Sequence, residues 1–152
     1  MSNTWDELRA RTSVVNTIVT RAADGVSAGA AWTGVAGVWD HFDDESHLLR
    51  ELQQHWFHSL AASVDNALET GEGDLVDDVR KAYRSAADRH RGLRRILDEY
   101  AQHPALVPLV RREHALLATA AGVDHSDEIT KAYTTVPQQR RVGFLTRIFS
   151  AA

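Results

Sequence analysis

The sequence predicts an all-α, single-domain helical bundle of about seven helices. Apolar residues recur at three- and four-residue steps through most of the chain, the spacing of one helical face. No stretch alternates apolar and polar residues as a half-buried strand would. Glycines, prolines and capping carboxylates punctuate the pattern at helix-length intervals. With 152 residues the chain is long enough to bury one core.

Residues 4–23 read as an amphipathic helix with Trp5, Leu8, Val15, Ile18, Val19 and Ala22 near one stripe, and Asp24-Gly25 as its stop. Residues 26–38 are rich in alanine and glycine; each glycine costs about 1 kcal/mol in a helix, so a short or broken helix is expected. The principal helix follows from about Asp44 to Gly71, with Asp43 or Asp44 as its cap. Its apolar face is Leu49, Leu52, Trp56, Leu60, Val64 and Ala67.

Asp74 caps the next helix, which carries Leu75, Val79, Ala82, Tyr83 and Ala86 and ends near His90. Gly92 is read as a break before a shorter helix with Leu93, Ile96, Leu97 and Tyr100, closed at His103-Pro104. Leu106, Leu109, Val110, Leu116 and Leu117 form a helix to Gly122. A brief helix over 124–134 and a last one from Pro137, with Val142, Leu145, Ile148 and Phe149 on one face, complete the chain.

Charge and composition exclude several classes. Residues 1–78 hold four Lys/Arg against fourteen Asp/Glu, whereas residues 79–152 hold thirteen against seven. An acidic front half is a poor surface for DNA, where affinity rests on lysine and arginine at phosphates. The basic cluster Arg80, Lys81, Arg84, Arg89, Arg91, Arg94 and Arg95 reads as a solvated face, with an anion contact as the alternative. The absence of cysteine removes disulfides and thiolate chemistry and fits a cytoplasmic location. The acidic N-terminus lacks the apolar core of a signal peptide. The longest uncharged run, residues 25–39, is too short to span a bilayer, so no membrane association is expected.

Two segments resemble the TetR family of bacterial transcription regulators. Trp39-Asp-His-Phe-Asp-Asp-Glu-Ser-His-Leu-Leu is similar to that family's signature in and after its recognition helix. His90-Arg-Gly-Leu-Arg-Arg-Ile-Leu-Asp-Glu-Tyr-Ala-Gln-His-Pro-Ala-Leu is similar to a pattern in its regulatory domain. The resemblance implies a head over residues 1–38 and a ligand-binding, dimerising helical body over 39–152. Departures fall on the DNA-reading part. Gly34-Val35-Ala36-Gly37 lacks the family's serine and is about two residues short, and Glu45 stands where the family has lysine. Ordinary operator binding is therefore not expected.

The family's effector site implies a pocket for a small hydrophobic molecule, for which Trp56, Phe57, Tyr83, Tyr100 and His114 are candidates; plain core is the competing role for such aromatics. Pairing of two copies is expected through Leu109, Leu116, Leu145, Ile148 and Phe149. His47, Glu51, His55 and His58 share a helical stripe that could hold a metal, but it lies nearly opposite the apolar face, where imidazoles are satisfied by water. Gly25-Val26-Ser27-Ala28-Gly29 matches the letters of a nucleophile elbow, yet a helix rather than a strand precedes it. The expectation is a non-enzymatic TetR-like regulatory protein without a cofactor. The alternatives are a working TetR-type repressor and a helical metal-binding bundle.

Overall fold

The computed structural model describes residues 3–123. Among them are seven helices and no strand: α1 (Thr4–Ala23), α2 (Ala28–Ala31), α3 (Val38–His41), α4 (Glu45–Thr70), α5 (Leu75–Arg89), α6 (Arg91–Glu99) and α7 (Val107–Ala120). The all-α expectation holds. The helices expected over 124–134 and from Pro137, and with them Leu145, Ile148 and Phe149, lie outside the described residues.

The chain divides into two compact units. Among the described residues, one comprises 3–56 together with His90–Leu106; the other comprises Phe57–Arg89 and 107–123. Residues 1–38 are therefore not a unit by themselves, and the boundary expected after residue 38 is not where the structure places it.

In the first unit α1 packs on α6, with further contacts to α2 and α3, and Val14, Val15, Ile18 and Ala22 are buried. The approach is close because residue 92 has no side chain. A Cβ there would fall against the Val19 carbonyl oxygen and within 2.8 Å of the Ala23 nitrogen. Gly92 is thus a contact residue inside α6 and not the break that the sequence suggests. The interruption is one residue earlier, at His90, whose backbone (φ −116°, ψ 41°) leaves the helical region.

Trp5 and Leu8 depart from expectation, being 66% and 53% exposed. At 100° per residue Trp5 lies about 140° around α1 from Ile18, so a stripe drawn through both is too wide to bury. The buried stripe is the narrower one centred on Ile18.

The principal helix forms as its pattern predicts. Asp44 is the cap: its Oδ1 accepts the His47 backbone N–H at 2.7 Å, three residues on. Leu49, Leu52, Trp56, Leu60 and Val64 are buried, joined by Leu48 and Gln53; Ala67 is only half-buried. In the second unit Asp74 Oδ1 likewise accepts the Asp77 N–H at 3.1 Å to open α5. Each such cap stabilises its helix by about 1 kcal/mol. Val79, Ala82 and Ala86 of α5 are buried, as is Leu117 of α7, which packs on α5. Arg89 ties α5 to α4 by donating to the Ser63 hydroxyl.

Candidate functional site

Between α1 and α4 the chain makes the segment where the sequence resembles a DNA-reading head. After α1, Gly25 (φ +100°) takes a backbone conformation that residues with a Cβ rarely adopt, and turns the chain into α2. Ser27 precedes α2 at the N-cap position without a side-chain capping bond. Ala28 N–H is instead satisfied by Glu99 Oε2 at 3.2 Å, which fixes α2 to the end of α6. Gly37 (φ +83°) turns the chain again into α3. Both α2 and α3 are single turns of four residues. Such a turn is about 6 Å long, whereas a recognition helix must lay several side chains along a major groove.

The charges here also oppose phosphate binding. Trp39 is 56% exposed, and its neighbour Asp40 is exposed too, as are Asp43 and Asp44. The three arginines before α4, all on α1, have intramolecular partners. Arg9 lies 3.8 Å from Asp6. Arg21 donates to the Thr33 and Ala30 carbonyls at 3.0 and 3.3 Å and so holds the end of α2. Arg11 donates to Glu51 Oε2 at 2.8 Å, with its guanidinium 4.9 Å from the centre of the Phe42 ring.

That Arg11 contact reorganises the expected histidine stripe. His47 Nε2 is 3.3 Å from the same guanidinium, a group that can only donate. Glu51 is shared between Arg11 and His55, the latter at 3.5 Å, while His58 is exposed. Among the described residues no group of three or more histidines and carboxylates is disposed to hold a metal ion. A cation is already in contact with Glu51. Sequence spacing on α4 alone could not reveal it, because Arg11 comes from another helix.

The five pocket candidates fall into separate units. Trp56 is fully buried, and the Arg94 guanidinium lies over its ring at 4.6 Å. Tyr100 is half-buried, 5.3 Å from Trp32 and 6.3 Å from His103 between ring centres. Burial pushes its hydroxyl above the ordinary tyrosine range, and the carboxylates of Glu45 and Glu99 add to the shift, so it stays protonated. In the second unit Phe57 and Tyr83 are half-buried and His114 is buried; Arg112 lies 4.8 Å from the Phe57 ring centre. Glu113, also buried, is a polar interior residue that the apolar pattern of α7 concealed. A shallow trough of about 720 Å³ runs along α1, and none of the five lines it.

The comparisons add no relative. No family model, curated protein or solved structure matches the chain.

Of the basic cluster, Arg80 and Lys81 both pair with Asp77, at 3.6 and 2.7 Å, and Lys81 holds that carboxyl below its usual range. Arg94 pairs with Asp98. The Lys81 side chain is solvated, but those of Arg80 and Arg94 are only 12% exposed, so the cluster is not a uniformly solvated face. Of the two candidates for pairing of copies that are described, Leu109 and Leu116 are half-buried.

Proposed function

We propose that this chain is a non-enzymatic regulatory protein whose helical body resembles that of TetR regulators and which does not read operator DNA. The observation that carries the reading is the reduction of α2 and α3 to single turns, with every arginine before α4 in contact with the protein itself. The acidic run Asp43-Asp44-Glu45 at the start of α4 supports it, since those groups repel a phosphate backbone. A small hydrophobic effector or a protein partner bound by the helical body, and pairing of copies, complete the proposal. Ser27 stands beside a four-residue helix with a helix before it, a setting that does not suit a nucleophile elbow.

Duplex binding tests this. Fluorescence anisotropy with short palindromic duplexes at physiological salt is expected to show weak binding without preference between sequences. Binding at nanomolar concentration to one palindrome, lost on scrambling it, would overturn the proposal in favour of a working repressor.

A further inference from the structure

We draw no further inference here: the strongest candidate, the outward face of α1 on which Trp5 and Leu8 stand exposed beside Arg9, Thr12 and Asn16, carries nothing because nothing in the structure shows what covers it.

Discussion

Trp56→Ala is expected to lower the stability of the fold by about 3–5 kcal/mol, the range for truncating a fully buried large aromatic. Trp56 lies in the buried face of α4 with no exposed surface, and its ring carries the Arg94 guanidinium from α6. Truncation removes the apolar area and also strands that cation against a void. A loss of this size is a large share of the roughly 5–15 kcal/mol that holds a domain together. Chemical denaturation followed by circular dichroism measures it. A loss below about 1.5 kcal/mol would mean that the indole faces an open cavity, where its packing is already incomplete.

Gly92→Ala is expected to destabilise, by about 1–3 kcal/mol, although alanine is the better helix former by about 1 kcal/mol. The added methyl would press on the backbone of α1 at Val19 and Ala23, which cannot yield as a flexible side-chain end could. Either α6 moves away from α1 or the methyl stays under strain. Thermal unfolding distinguishes the outcomes. A variant more stable than the parent would show that α6 does not approach α1 this closely.

Which parts were legible from sequence follows from where the information resides. The principal helix was, because its cap and apolar face are local: Asp44 reaches only three residues forward, and Leu49 to Val64 repeat at helical steps. The same holds for α5 and Asp74. Gly92 was misread because a glycine in a helix looks the same whether it breaks the helix or admits a neighbour. Its meaning depends on Val19, seventy-three residues away. The surroundings of the histidine stripe were hidden for a like reason, since Arg11 reaches Glu51 from α1. Trp5 and Leu8 were placed on one stripe with Val15 and Ile18 by spacing, yet both are exposed, and Trp5 lies about 140° around the helix from Ile18. The acidic character of the head was readable residue by residue. The engagement of Arg21 with the carbonyls of α2 was not, because it needs the turn at Gly25.

The segment before α4 shares one compact unit with α6. Native-state hydrogen exchange tests this most directly, because a cooperative unit opens with one free energy. The buried α1 amides at Val15, Ile18 and Ala22 are expected to share the opening free energy of those at Ile96 and Leu97 in α6, and Gly92→Ala is expected to lower both together. A cheaper opening of α1, with α6 still fully protected, would contradict the account by making residues before α4 a separable head.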